Sequence, residues 1–112
     1  MRAEYRRHLP LLRFIASDSI TKVQLGLLIR ELSNSQLGFI AEIAYNVLKG
    51  VIPLSESDKE ILRLFVKQIR LIGKPKTTFR IIRKVLKTSG LVALAKVFLP
   101  YVDQLPENES HG

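Results

Sequence analysis

The amino-acid sequence predicts an all-α protein, a compact bundle of five to six short helices. Apolar residues recur three and four positions apart along most of the chain, which is the spacing of one helical face. Hydroxyl residues and glycines interrupt these runs where helices begin and end. No run of useful length alternates apolar and polar residues, as a half-buried strand does. We therefore expect residues 1–100 to form one helical domain and residues 101–112 an acidic, disordered tail.

The first three helices are predicted at residues 8–16, 20–32 and 36–50. Pro10 is tolerated in the first turn of the first helix. The tripeptides SDS (17–19) and SNS (33–35) supply N-cap side chains for the second and third helices, and Gly50 stands where the third ends. In the second helix the residues predicted to face the core are Ile20, Val23, Leu27, Leu28, Ile29 and Leu32. In the third they are Phe39, Ile40, Ile43, Ala44, Val47 and Leu48.

The last three helices are predicted at residues 57–73, 79–87 and 91–99. Ser55, followed three residues later by Asp58, has the form of a capping box at the start of the fourth helix. The core-facing residues of that helix are predicted to be Leu62, Phe65, Val66, Ile69 and Ile72. Gly73 ends this helix, and Thr77 or Thr78 caps the fifth. In the fifth helix the predicted core residues are Phe79, Ile82, Val85 and Leu86.

The sixth predicted helix, LVALAKVFL, is apolar nearly all round. Such a helix is normally buried. We expect it to fill the centre of the bundle or a dimer interface, and a membrane-active role is the alternative.

Residues that could carry catalysis are too few and too scattered to predict an enzyme. The chain has no cysteine, and its two histidines, His8 and His111, lie at opposite ends. Glu56, Asp58 and Glu60 cluster in the first turns of a helix, where negative charge complements the helix dipole. No catalytic residue, metal site or cofactor is predicted. The longest apolar runs, about five or six residues, fall short of a membrane span, so we expect a soluble, intracellular protein that is not secreted.

Positive charge is concentrated in the C-terminal half of the chain. The whole chain carries 18 Lys and Arg residues against 10 Asp and Glu, a formal net charge of +8. Between Ile61 and Val102 there is no Asp or Glu. The cations in that span are Arg63, Lys67, Arg70, Lys74, Lys76, Arg80, Arg83, Lys84, Lys87 and Lys96. A strongly basic chain of this kind is typical of proteins that bind nucleic acid or an anionic surface.

The spacing of these cations predicts a helical hairpin with a basic outer side. Cations three and four residues apart share one face of the fourth helix and one face of the fifth. If the two helices pair through their apolar stripes, both rows face outward. We expect the phosphate backbone of nucleic acid, DNA in particular, to contact Arg63, Lys67, Arg70, Lys74, Lys76, Arg80, Arg83, Lys84 and Lys87. Phe65 and Phe79 belong to the apolar stripes, which argues against base stacking and sequence readout.

Other uses of the same charge remain open. The cations could simply keep an apolar small protein soluble, or they could meet an acidic protein or a membrane surface.

Three segments resemble a known family. They are RRHLPLLRFIA (6–16), EIAYNVLKGVIPLS (42–55) and RKVLKTSGL (83–91). In order and spacing they are similar to the small basic proteins of Polinton/Maverick elements and adintoviruses, which are likened to the core peptide of adenoviruses. The resemblance implies a non-enzymatic viral or transposon-encoded protein that condenses the genome in the virion core or acts in the host nucleus. Self-association or capsid assembly, and membrane activity in the virion, are the alternatives.

Overall fold

The computed structural model describes residues 6–17, 19–50, 53–87 and 91–100. Among these residues there are seven α-helices and no strand. In chain order they are α1 (Leu9–Ala16), α2 (Lys22–Glu31), α3 (Asn34–Leu48), α4 (Glu56–Arg63), α5 (Val66–Gly73), α6 (Phe79–Leu86) and α7 (Leu91–Phe98). The predicted all-α class is confirmed. The predicted count of five to six helices is too low, because one predicted helix is two. The tail predicted at 101–112 lies outside the described residues.

A break at Leu64 and Phe65 divides the predicted fourth helix into α4 and α5. The N–H of Leu64 donates to the carbonyl of Ile61 at 3.3 Å, and that of Phe65 to the carbonyl of Leu62 at 2.9 Å. Both bonds reach back three residues, which tightens the turn. Phe65 then leaves the helical region at φ −122° and ψ 20°. The break allows α4 to pack against α7 while α5 packs against α3 and α6.

Hydroxyl side chains cap four of the helices, and each accepts a hydrogen bond from the backbone N–H three residues on. The caps are Thr21, Ser33, Ser55 and Thr78. The predicted caps at Ser33, Ser55 and Thr78 are confirmed. The prediction that residues 17–19 cap α2 is wrong, because Thr21 lies directly before the helix and forms a full capping box there. Each cap stabilises its helix by about 1 kcal/mol.

Helix α3 is the central helix of the part of the bundle that also contains α5 and α6. It contacts α5 and α6, which also contact each other, while α1 packs on α7 and α2 on α6. The core holds apolar side chains from all seven helices, with Phe39 and Phe98 the bulkiest, and no polar side chain of the described residues is buried. Full burial of one such side chain stabilises the fold by about 1.5–3 kcal/mol.

Two glycines end helices for different reasons. Gly50 has φ +73°, the left-handed conformation expected after a helix C-terminus. Gly73 ends α5 where it presses against α3: a Cβ here would lie 3.0 Å from backbone atoms of Ala44 and Tyr45. It would also lie 2.8 Å from Cδ1 of Leu48, which is 42% exposed rather than in the core as predicted. Gly73 therefore lets two helix backbones approach closely.

Helix α2 buries only part of the apolar stripe predicted for it. Ile29 and Leu32 are buried, whereas Val23 is 73% exposed and Leu27 is 53% exposed. The helix is apolar on two sides, so the spacing of its residues alone does not choose between them. The contact of α2 with α6 decides the orientation.

Helix α7 lies in the core, which confirms one of the two placements expected for it. Five of its residues are buried, namely Leu91, Leu94, Ala95, Val97 and Phe98. The fold thus accounts for the apolar character that had suggested a dimer interface or membrane activity. Within the part of the chain described, no helix is both long and apolar enough to span a bilayer.

Candidate nucleic-acid interface

The α5–α6 hairpin (residues 66–87) is closed by a short, hydrogen-bonded connector. The N–H of Thr77 donates to the carbonyl of Lys74 at 3.0 Å, and its hydroxyl donates to the carbonyl of Leu71 at 2.7 Å. The next residue, Thr78, caps α6 by accepting the N–H of Ile81 at 3.3 Å. These bonds satisfy backbone groups at the end of α5 and at the start of α6. The hairpin is therefore a defined unit anchored on α3.

Seven of the predicted contact residues lie exposed on this hairpin and its connector. We call them the hairpin cations: Lys67, Arg70, Lys74, Lys76, Arg80, Lys84 and Lys87. On α5 the buried residues Ile69 and Ile72 are opposite Lys67, and on α6 the buried Ile82 and Leu86 are opposite Lys84. None of the hairpin cations forms an ion pair with any described residue. The hairpin sequence itself contains no carboxylate.

Arg83 does not belong to this exposed set. Its side chain is partly buried and reaches across to the end of α2, where Nε donates to the carbonyl of Ile29 at 3.3 Å and Nη2 to that of Leu32 at 2.5 Å. Carbonyls at a helix C-terminus lack helical partners and carry partial negative charge, so a guanidinium there is favourable. The prediction that Arg83 is displayed on the outside is corrected: it ties α6 to α2.

Arg63 also has a different setting from the hairpin cations. It lies on α4, where it pairs with Glu60 one turn earlier, and Lys59 pairs in the same way with Glu56 at 3.5 Å. α4 packs on α7 rather than on the hairpin. Arg63 is thus paired with a carboxylate, unlike the hairpin cations with which it was grouped.

Exposed aromatic rings are the feature that the sequence reasoning missed. Phe79, predicted to be in the core, is 40% exposed, and Tyr45 of α3 is 39% exposed. Both line a shallow depression of about 480 Å³ that also includes Lys74 and Pro75 of the connector. The spacing of residues in the sequence does not indicate that Tyr45 lies near the hairpin. The two come together only because α3 packs on α5.

His8 has a structural setting at the start of α1. Its Nε2 is 3.0 Å from Oγ of Ser35, its ring centroid is 5.7 Å from that of Phe39, and Arg7 also donates to the same hydroxyl at 3.2 Å. Burial, and then the nearby Arg7, lower the pKa of His8 below its usual 6.5. Among the described residues no group of three or more potential ligands could hold a metal ion.

Comparison with known proteins assigns no relatives: no family model, curated protein or solved structure matches this chain.

Proposed function

We propose that this protein binds nucleic acid, DNA in particular, through the hairpin cations, without reading sequence and without catalysis. One observation carries the proposal: seven exposed cations share a structured hairpin that has no carboxylate. Cations of this kind contact phosphates and release counterions, which makes the affinity dependent on salt. Arg63 and Arg83 have no direct contact with phosphate in this proposal.

The length of α6 suits contact with successive phosphates. Arg80, Lys84 and Lys87 follow one another at intervals of four and three residues, so they lie along one side of the helix. They span about 10 Å along the axis. That distance corresponds to about three base-pair steps of duplex DNA. Lys67 and Arg70 add two exposed cations on α5.

Condensation of a packaged genome is the role that fits this mode of binding. The resemblance to the small basic proteins of Polinton/Maverick elements and adintoviruses implies that role. In that setting the protein acts in a virion core or in the host nucleus, and a sequence-blind contact is suited to covering a whole genome.

Removal of charge from the hairpin tests the proposal. We expect the variant Lys67→Gln/Arg80→Gln/Lys84→Gln to bind duplex DNA about two orders of magnitude more weakly at ~0.1 M salt, because up to three phosphate contacts are lost. The slope of log K against log salt concentration should become shallower by about 2–3. Fluorescence anisotropy with a labelled duplex measures both quantities.

A matched variant controls for overall charge. Arg13→Gln/Arg30→Gln/Lys49→Gln removes the same number of exposed cations from α1, α2 and the end of α3. Its affinity and slope should stay close to those of the unmodified protein. Equal losses in the two variants would show that only net charge matters, and the proposal of a hairpin interface would then be wrong.

A further inference from the structure

The shallow depression of about 480 Å³ beside the hairpin has an apolar and partly aromatic surface. Its lining includes the buried residues Ile72, Gly73 and Ile82, which form a floor of core side chains and backbone. The exposed rings of Tyr45 and Phe79 line it as well. The volume is within the range of about 300–1,000 Å³ that is typical of small-molecule sites. Such a surface suits a ligand that offers a flat, apolar face.

Phe79 provides the ring on which a ligand can lie. It is the first residue of α6, directly after the Thr78 cap, and it is 40% exposed. Among the described residues, neither an aromatic ring nor a cation packs on it. In contrast, Nζ of Lys49 lies over the ring of Tyr45, 5.6 Å from its centroid. Because a phenyl ring in contact with water forgoes the stabilisation of burial, a ligand that covers Phe79 gains that stabilisation.

Hairpin cations adjoin this aromatic surface. Lys74 lines the depression itself, and Lys76 lies one residue away from two other lining residues. Arg80 directly follows Phe79. All three cations are exposed and form no ion pair with any described residue. Cations beside an exposed ring are the combination with which proteins hold single-stranded nucleic acid, the phosphates on the cations and a base on the ring.

The one carboxylate among the described lining residues favours an uncharged group within the depression. Glu42 of α3 is half-buried there and takes part in another interaction. A phosphate or an anionic lipid headgroup next to Glu42 would meet like charge, whereas a nucleobase carries none. This arrangement keeps the phosphates on the exposed cations and leaves the depression to the base.

We propose that this depression holds one unpaired base of single-stranded nucleic acid, stacked on Phe79, with the neighbouring phosphates on the adjacent hairpin cations. Binding of nucleic acid by the hairpin cations, as proposed above, is the condition for this contact. The bases of a duplex are stacked on one another, so only an unpaired base can enter. Every base has a π-face, so the contact is independent of sequence. Phe79 therefore adds affinity for single strands alone.

Fluorescence anisotropy with three labelled ligands of equal length tests the proposal: oligothymidylate, a base-free strand with the same phosphates, and a duplex. We expect the unmodified protein to bind oligothymidylate about tenfold more tightly than the base-free strand, which has the same charge. Phe79→Leu should remove that difference and leave the affinity for the duplex unchanged. The matched control is Phe14→Leu on α1, where the ring is 49% exposed, and it should change none of the three affinities.

The possible failures are distinct. Equal affinity of the unmodified protein for oligothymidylate and the base-free strand would overturn the base contact and leave the hairpin interface with duplex DNA intact. Equal losses for all three ligands in Phe79→Leu would show that the ring supports the fold, and would also overturn the base contact. No binding of any of the three would contradict the proposed function and the base contact together.

A tryptophan at the same position gives a direct readout, because the chain has no tryptophan of its own. Phe79→Trp should keep the preference for oligothymidylate over the base-free strand, and its fluorescence should be quenched when a base stacks on it. Phe14→Trp should show no quenching. This pair decides the question even if Phe79→Leu does not fold. Quenching of Phe79→Trp by a proline-rich peptide but not by oligothymidylate would assign the depression to a protein partner and overturn the proposal.

Discussion

Helices α4 and α6 have the same length and a similar share of cations, but they use charge in opposite ways. Each has eight residues and begins at a hydroxyl cap. In α4 the cations Lys59 and Arg63 pair with Glu56 and Glu60 one turn earlier, and the first turn is acidic. In α6 no acid is present, and the first turn carries Arg80. α4 thus shows how this chain makes a helix soluble, and α6 departs from that pattern.

The lack of acidic residues in α6 has an energetic cost, and a need for solubility does not explain why the chain accepts it. Like charges at helical spacing oppose one another by a few tenths of a kcal/mol per pair, and a cation near a helix N-terminus opposes the dipole. Interspersed Glu would remove both penalties, as it does in α4. The proposed contact with phosphate gives these unneutralised cations a use.

The largest expected effect is on stability, and it distinguishes Arg83 from its neighbour Lys84. Arg83→Met should lower the free energy of unfolding by about 1.5–3 kcal/mol, because it removes charged hydrogen bonds to Ile29 and Leu32. Lys84→Met, at an exposed position, should change it by no more than about 0.5 kcal/mol. Urea denaturation measures both.

For DNA binding we expect the opposite order, with the larger effect in the Lys84 variant and the smaller in the Arg83 variant. Lys84→Met should reduce the salt slope by about 0.9, while Arg83→Met, measured well below its melting temperature, should leave it unchanged. If Arg83→Met lost affinity while folded, Arg83 would belong among the phosphate contacts.

The next largest effect on stability concerns the packing of the hairpin on α3. Gly73→Ala places a Cβ against the backbone of Ala44 and Tyr45, which cannot yield as a flexible side chain would. We expect the free energy of unfolding to fall by about 1–3 kcal/mol. Gly26→Ala is the control, because it has open space and should raise that energy by about 0.5–1 kcal/mol. Equal melting temperatures for the two variants would show that α5 and α3 are not closely packed.

A smaller effect tests whether α6 sacrifices stability for binding. Arg80→Glu gives the first turn of α6 the acidic character found in α4 and places an acid four residues before Lys84. The free energy of unfolding should rise by about 0.5–1 kcal/mol, while affinity for DNA falls. A loss of both stability and affinity would mean that Arg80 has a structural role.

The smallest expected effect on stability comes from His8, which lies in neither α4 nor α6. Its lowered pKa means that the folded state binds fewer protons than the unfolded state, so stability is full above the unfolded value of about 6.5 and is lost as the pH falls through the lowered folded value. The melting temperature should decrease from pH 8 to pH 5, and His8→Gln should make that decrease smaller. An identical pH profile for the variant would exclude this role.

The sequence was sufficient for local features of the fold. Caps at Ser33, Ser55 and Thr78 and the end of α3 at Gly50 follow from side-chain chemistry within one turn, so short-range patterns predict them. The exposure of most hairpin cations follows in the same way from the helical spacing of the apolar residues.

Features set by distant contacts could not be predicted. The break at Phe65 depends on α4 and α5 having different neighbours, and the inward face of α2 depends on its contact with α6. The partners of Arg83 are 51 and 54 residues away along the chain, so its spacing looked the same as that of Lys84. A groove of about 680 Å³ likewise has walls from both α2 and α7, two helices that no local sequence pattern relates.

The most direct test of the central claim is the salt dependence of binding to two unrelated duplexes, one A·T-rich and one G·C-rich. We predict similar affinities for the two and a slope of log K against log salt concentration of about −4 to −6, as expected if most of the hairpin cations contact phosphate. A flat response, no binding at ~50 mM salt, or a preference of more than about a hundredfold for one duplex would contradict the account.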